Sequence, residues 1–268
     1  MNSKELSKKA RILSLEMVFA SKGSHIGSAL SIIDILAVLY TDIMKYDKLN
    51  VRESQRDIFI LSKGHACVGV YSILGLKNFF DINQLKSYGA NDSVFMNHIS
   101  HKVPGVEFST GSLGHGLPFG TGKALASKIS HNSNKIFVLL GDGELNEGSN
   151  WEALLFAAHH NLDNLVVIID YNKLQSLTTV EQTLKLEPLE SKFEAFGCNV
   201  VTVNGHDHIE LKSAFLNAVQ FKMKPTVIIA NTIKGKGVSY MENKIKWHYS
   251  TPSESELNIA INEINNNA

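Results

Sequence analysis

Apolar residues recur at helical spacing through Leu6, Ile12, Leu13, Leu15 and Val18, and again through Ile32, Ile35, Leu36 and Leu39, which predicts two helices. Between them Ser21-Lys22-Gly23-Ser24-His25-Ile26-Gly27 is too rich in glycine to be helical. The pattern then changes. Short, almost wholly apolar runs at 57–61, 136–140, 165–169, 200–203 and 226–230 read as buried strands, with helical stretches between most of them. Strands apolar on both faces that alternate with helices predict an α/β fold, a mostly parallel sheet with helices on both faces, because parallel strands need crossover connections that cover the sheet.

In such sheets ligands gather beyond the carboxyl ends of the strands. The segments that follow the predicted strands are polar and glycine-rich: Ser62-Lys63-Gly64-His65, Gly141-Asp142-Gly143-Glu144, Asp170-Tyr171-Asn172-Lys173, Asn204-Gly205-His206-Asp207 and Asn231-Thr232-Ile233-Lys234-Gly235-Lys236-Gly237. With 268 residues and no repeat or Pro-rich linker, residues 1–268 read as a single domain. A polar tail from about 251 is expected to carry one short helix and then to fray at Asn265-Asn266-Asn267-Ala268. Lys plus Arg (26) balances Asp plus Glu (26), so no uniform field draws the chain to nucleic acid or to an anionic membrane, and local sites must carry any anion binding. Cys67 and Cys198 match neither a disulfide framework nor a zinc pattern. No run is long enough to span a bilayer, and Glu16 interrupts the apolar stretch behind the basic N-terminus, so an amphipathic helix rather than a signal peptide is expected there. These features together lead us to expect a cytoplasmic protein.

The segment Gly141-Asp142-Gly143-Glu144-Leu145-Asn146-Glu147-Gly148 lies between the strand ending at Leu140 and a helix expected from about Asn150 to His160. The next strand leads to Asp170 and Asn172. Strands of a βαβ unit point the same way, so Asp142 and Asn172 are expected side by side at one sheet edge. A carboxylate, an amide oxygen and a main-chain carbonyl make a hard oxygen site suited to Mg²⁺ or Ca²⁺, with positions left for phosphate oxygens. Gly143 lets backbone amides approach a diphosphate, and the helix N-terminus favours anions. The bland alternative is a strand-to-helix turn with an N-capping acid. A second glycine-rich segment, Ser109 to Gly122, lacks the Walker spacing, and position 119 is Phe where a dinucleotide fingerprint starting at Gly114 needs Gly. His25, His65, His98, His101, His115, His206 and His248 nearly all fall in predicted loops beside glycine. Each alone reads as an exposed polar residue; gathered at one edge they become hydrogen-bond donors and proton carriers near neutral pH.

These motifs resemble, in order and spacing and over nearly the whole chain, the N-terminal half of transketolase. Thiamine-diphosphate enzymes carry Gly-Asp-Gly and, one crossover later, Asn-Asn; here Gly141-Asp142-Gly143 is intact and Tyr171-Asn172 keeps the second Asn. The family's Gly-His element near its start is matched by Ser24-His25-Ile26-Gly27, its Ser-x-Gly-His by Ser62-Lys63-Gly64-His65, and its Thr-Gly-Pro-Leu-Gly-Gln-Gly loop by Thr110-Gly111-Ser112-Leu113-Gly114-His115-Gly116. The resemblance implies a thiamine-diphosphate-binding fold, with Asp142, Asn172 and the Leu174 carbonyl as ligands of Mg²⁺ (or Ca²⁺ or Mn²⁺). It places Gly143, His65 and His248 on the diphosphate, and the main chains of Gly111 and Leu113 against the aminopyrimidine. His25 is implied to contact substrate hydroxyls and Glu147 to lie at a subunit contact. A further substrate histidine is ambiguous between His98 and His101, of which His98 is preferred.

Ser112 and His115 depart from the family's Pro and Gln. The pyrimidine-binding domain that follows in single-chain transketolases, with the glutamate that helps activate the cofactor, has no counterpart in these residues. The resemblance therefore implies the N-terminal subunit of a split transketolase, working with a separate C-terminal, pyrimidine-binding subunit, as a heterotetramer, in two-carbon ketol transfer from a ketose or ketose phosphate to an aldose. Alternatives are a deoxyxylulose-phosphate synthase-like protein, a 2-oxoacid dehydrogenase alpha subunit, or a non-catalytic partner-binding subunit. The pathway stays open between pentose-phosphate metabolism and an unusual or modified sugar.

Overall fold

The computed structural model describes residues 1–48, 50 and 53–266. Five strands form one parallel sheet: β1 (Ile58–Leu61), β2 (Ile136–Gly141), β3 (Leu165–Tyr171), β4 (Asn199–Asn204) and β5 (Thr226–Asn231), in the spatial order β1-β2-β3-β5-β4. All five predicted runs are strands, each within two residues of its expected bounds. The three central strands β2, β3 and β5 are buried nearly throughout, as a sheet covered on both faces requires.

Successive side chains of the strands divide between two cores. Phe137, Leu139, Val166, Ile168 and Ile228 point to one face, which is covered by α1 (Ser3–Ser21), α2 (Ile26–Leu30), α3 (Ile33–Val38) and α4 (Cys67–Leu76). Ile136, Val138, Leu140, Val167 and Ile169 point to the other, under α5 (Gly116–Ile129), α6 (Gly148–His159), α7 (Val180–Thr183) and α8 (Leu189–Ala195). Returning to the first face, α9 (His208–Gln220) and α10 (Glu254–Asn266) complete the layer. The chain thus leaves β1 towards one face and β2 towards the other, and leaves β3 and β5 towards opposite faces as well. Such reversals open crevices at the carboxyl edge of a parallel sheet.

The helices begin where their caps place them. Asn2 accepts from the Glu5 amide while the Glu5 carboxylate takes the Asn2 amide, a reciprocal cap that starts α1. Asp207 accepts from the Ile209 and Glu210 amides and starts α9. The N-terminal region differs from the expectation of two helices with a non-helical segment through Gly27. The segment ends earlier, at His25, because an additional short helix, α2, precedes the expected second helix, which is α3, with Ser31 and Ile32 between them. Gly27 lies inside α2, where a Cβ would come within 3.1 Å of the Trp247 carbonyl, so its value there is close packing rather than flexibility. The tail does carry a helix, α10; the expected fraying at Asn267 and Ala268 lies outside the described residues. Among the described residues no helix is long and apolar enough to cross a membrane.

Candidate functional site

The carboxyl ends of β1, β2, β3 and β5 open into one cleft of about 280 Å³. Sheet register sets it: Gly141 of β2 pairs with Asp170 of β3, and Asp170 with Ala230 of β5, so the residues beyond these strands emerge side by side. Asp142 is buried just past β2 and accepts from the amides of Gly143 (2.7 Å) and Lys173 (2.5 Å). Lys173 takes up a left-handed conformation (φ 64°), unusual for a side chain of its kind, and in that conformation its N–H reaches Asp142. Burial, and after it the nearby Asp170 carboxylate, push the Asp142 carboxyl up to about 7.

Asn172 accepts from the Leu174 amide through Oδ1 (3.1 Å) and donates to Asp170 through Nδ2 (2.9 Å). The carbonyls of Leu174 and Gln175 accept from Lys234 Nζ at 3.1 and 3.0 Å. Asp142, Asn172 and Leu174 all line the cleft. Among the described residues no three or more His, Cys, Asp or Glu are grouped to hold a metal ion. A cation here would therefore rest on one carboxylate with amide and carbonyl oxygens, which is a hard donor set. Other features suit an anion beside it. Gln175 Nε2 is a buried donor with no acceptor. A Cβ on Gly143 would press on the Gln175 side chain at 3.0 Å, so glycine leaves that side chain its place in this wall. The residues present fit a diphosphate bound through a divalent cation.

Two lysines supply positive charge. Lys63, just past β1, donates to Asp170 and to the Ser28 carbonyl. Asp170 also accepts from Ser31 (2.7 Å) and Thr232. Burial opposes the charge of Asp170, but Lys63 and these hydrogen bonds outweigh it and hold the carboxyl below its ordinary value. The charge of Lys63 is thereby matched, and Lys234 is the cleft's ammonium without a carboxylate hydrogen-bonded to it, its donors directed at the Leu174 and Gln175 carbonyls and at His248 Nδ1 (3.0 Å). Burial, then repulsion from Lys63, bring it down to about 8.

The histidines form the outer wall. The His25 ring lies 5.1 Å from His65, 5.9 Å from His98 and 5.0 Å from His248 between centroids. His25 is itself left-handed (φ 68°), and its amide donates to the His248 carbonyl at 2.8 Å, tying the two segments together. Burial first, then neighbouring positive groups, lower His25 to about 4 and His248 to about 3, and hold His65 well below the usual imidazole value. All three rings are uncharged at neutral pH.

The remaining candidates separate. Leu113 and Gly143 line the cleft. Gly111 is exposed, 4.0 Å from the His98 ring measured from the place a Cβ would take. His98 lines the cleft, whereas His101 turns to Ser109 (2.7 Å) and borders a different hollow of about 610 Å³. Glu147 stands exposed at the N-cap position of α6, without a side-chain capping bond and outside the cleft. Lys63, Lys234, Asp170, Gln175 and Glu144 were not singled out by sequence reasoning. Buried Glu144 takes the Ser62 hydroxyl, the Gly114 amide (2.9 Å) and the Gly141 amide (3.3 Å), joining the three glycine loops at one carboxylate. The two lysines did lie in the polar strand-end segments, but a lysine that turns inward has no mark of its own in sequence.

Comparison with known proteins places this geometry. The family described as "Transketolase, thiamine diphosphate binding domain" matches residues 2–265. Among curated relatives, an apulose-4-phosphate transketolase subunit from Actinobacillus succinogenes is 42% identical over 97% of this chain and 96% of its own length. The 6-deoxy-6-sulfo-D-fructose transketolase subunit SqwG of Clostridium sp. (strain MSTE9) is 38% identical over 95% of this chain and 93% of its own. Of solved structures, the transketolase of Campylobacter jejuni superposes with a TM-score of 0.94 at 33% identity, covering 99% of this chain and 43% of that one. This chain thus spans less than half the length of that solved transketolase.

Proposed function

The chain belongs to the transketolase family, as its thiamine diphosphate binding domain, and from that premise we propose that it is the diphosphate- and cation-holding subunit of a two-subunit transketolase. Its reaction is two-carbon ketol transfer from a ketose or ketose phosphate to an aldose. The observation that carries this reading is the convergence of Asp142, Asn172 and the Leu174 carbonyl in a cleft that also presents Lys234 and four histidines. The relatives at full length are named as subunits, which supports a partner chain that brings the pyrimidine-binding half. A heterotetramer with two sites between subunits is the assembly we propose.

In this reading Asp142, Asn172 and Leu174 hold Mg²⁺ or a similar divalent ion, and the ion and Lys234 neutralise the diphosphate. Gly143 gives the diphosphate close access to the backbone, and His65 and His248 donate to it from neutral rings. Bound thiamine diphosphate would supply a nucleophilic carbon for the ketose carbonyl and a cationic ring to take up the electron pair of the cleaved carbon–carbon bond. The chain's own residues bind, orient and move protons around that chemistry. His25 and His98, at the outer wall, are placed to hydrogen-bond sugar hydroxyls. Gly111 and Leu113 flank the aminopyrimidine, and Glu147, exposed beside α6, faces the partner.

The test is to co-purify the chain with candidate partner subunits and titrate the assembly with thiamine diphosphate and Mg²⁺. Products from ketose phosphates and from 2-oxoacids are then compared. Saturable, Mg²⁺-dependent binding with aldose release from a ketose is the expected result. Decarboxylation of a 2-oxoacid with no ketol transfer would assign the chain to the related dehydrogenases instead.

A further inference from the structure

Behind the cleft, and not lining it, lies a polar chain, buried at Arg11 and Asp34 and partly buried at its histidines, that ends on the segment carrying Lys234. Arg11 of α1 holds Asp34 of α3 through both carboxylate oxygens. Asp34 in turn is bonded by His206 Nδ1 (2.8 Å) and by His208 Nε2 (3.1 Å). Burial opposes the Asp34 charge, but Arg11 and the two imidazoles outweigh it and hold its carboxyl well below the ordinary value. On its other side the His206 ring accepts, through Nε2, the main-chain N–H of Ile233 at 2.8 Å. The tautomer follows from the partners: the proton sits on Nδ1 towards Asp34, and Nε2 is free to accept.

We propose that His206 is a positioning residue for the cofactor site, orienting the 232–237 segment so that Lys234 reaches the diphosphate position; this rests on the diphosphate reading of the cleft. The segment has fixed points on either side of the ring. Thr232 is held by the Tyr171 carbonyl and by Asp170, and the Gly235 amide donates to the Gly27 carbonyl at 2.9 Å. Ile233 sits between these points, next to Lys234, and its amide is the one directed at a side chain from another strand tip. His206 follows β4, the edge strand, and its neighbour Gly205 donates to the Asn231 carbonyl at 2.8 Å, so the tip of β4 and the tip of β5 are locked together there. A residue on the edge strand thereby reaches the centre of the site through one backbone bond. His208, which shares Asp34 but bonds Ser3 rather than the segment, makes no such connection.

Two amide replacements separate the two ends of the ring. His206→Asn keeps a polar group where Nδ1 meets Asp34 and loses the acceptor for Ile233; His206→Gln places an acceptor where Nε2 stands. Hydrogen exchange of the Ile233 amide is measured in the chain by itself, and thiamine diphosphate affinity in the assembly of both subunits with Mg²⁺ present. His206→Asn is expected to speed exchange at Ile233 and to weaken thiamine diphosphate binding, each by about tenfold, the scale of one buried hydrogen bond. His206→Gln is expected to stay within a few-fold of wild type in both, and His208→Gln to leave both unchanged. Equal effects of the Asn and Gln replacements, or an Ile233 amide that stays protected in His206→Asn, would overturn the positioning role. Should the wild-type assembly bind no thiamine diphosphate, the proposed function fails, and the exchange comparison still decides what His206 does.

Discussion

Replacing Asp142 by asparagine should make the cation-free chain relatively more stable at high pH while depriving it of its ligand. In the folded chain the Asp142 carboxyl is raised from 3.8 to about 7, by burial and then by Asp170. A raised carboxyl stabilises the fold fully below 3.8, and that contribution is lost as pH rises through about 7. Integrating between about pH 5 and about pH 8, wild type loses about 3 kcal/mol that the Asp142→Asn variant does not, a factor of order 100 in the folding equilibrium. The new side chain keeps one acceptor for the amides of Gly143 and Lys173 and sets an NH₂ against the other, a cost that does not vary with pH. The quantity to read is therefore the pH dependence of the stability difference, from urea unfolding of both proteins without divalent ions. Adding Mg²⁺ at about pH 8 should stabilise wild type and leave the variant unmoved. A difference that is flat with pH, or an equal response to Mg²⁺, would refute a desolvated carboxylate that receives a cation.

Further outcomes follow from the same geometry. The folded imidazoles of His25 and His248 lie at about 4 and about 3, below their unfolded value of 6.5, so stability should fall as pH drops from about 6.5 through about 4. Urea midpoints across that range, repeated with His25→Asn, should show a shallower acid loss in the variant. Glu144→Ala strands the buried Gly114 and Gly141 amides, and a loss of about 3 kcal/mol is expected in chemical unfolding, with Glu144→Gln costing less. Gly64→Ala would drive a Cβ into the Thr110 carbonyl oxygen, so the 109–114 loop must move; about 2 kcal/mol or more of stability should go, with weaker thiamine diphosphate binding in calorimetry. Lys234→Met should lower thiamine diphosphate affinity by about 100-fold, as expected for removing a charge-assisted contact, and cost about 2 kcal/mol of stability in urea unfolding, because the Leu174 and Gln175 carbonyls and His248 Nδ1 lose their donor.

The sheet was readable because its strands are apolar on both faces, and all five runs became neighbours in one parallel array. Strand-end position then foretold which residues share a cleft: Asp142 and Asn172 meet because β2 and β3 run in register, and His65 joins them from β1. What sequence did not reveal lies where tertiary contacts decide. The helix expected at Ile32 to Leu39 is present as α3, but the short α2 before it was not legible, and Ser31 between the two turns its hydroxyl to Asp170, 139 positions away. Glu144 reads as one more acid in a glycine turn until Ser62 and Gly114 close on it. His98 and His101 cannot be told apart by spacing; the fold separates them, because His101 bonds Ser109 on the far side of its loop.

The bond between the His25 amide and the His248 carbonyl has a consequence for biosynthesis. One wall of the pocket is thus stitched from an early and a late stretch of the polypeptide, so a ribosome must deliver both before this chain's share of the seat for the vitamin-derived ligand is complete. Ligand capture then reports that translation has passed position 248, and a prematurely terminated product would go without that added protection from unfolding and proteolysis.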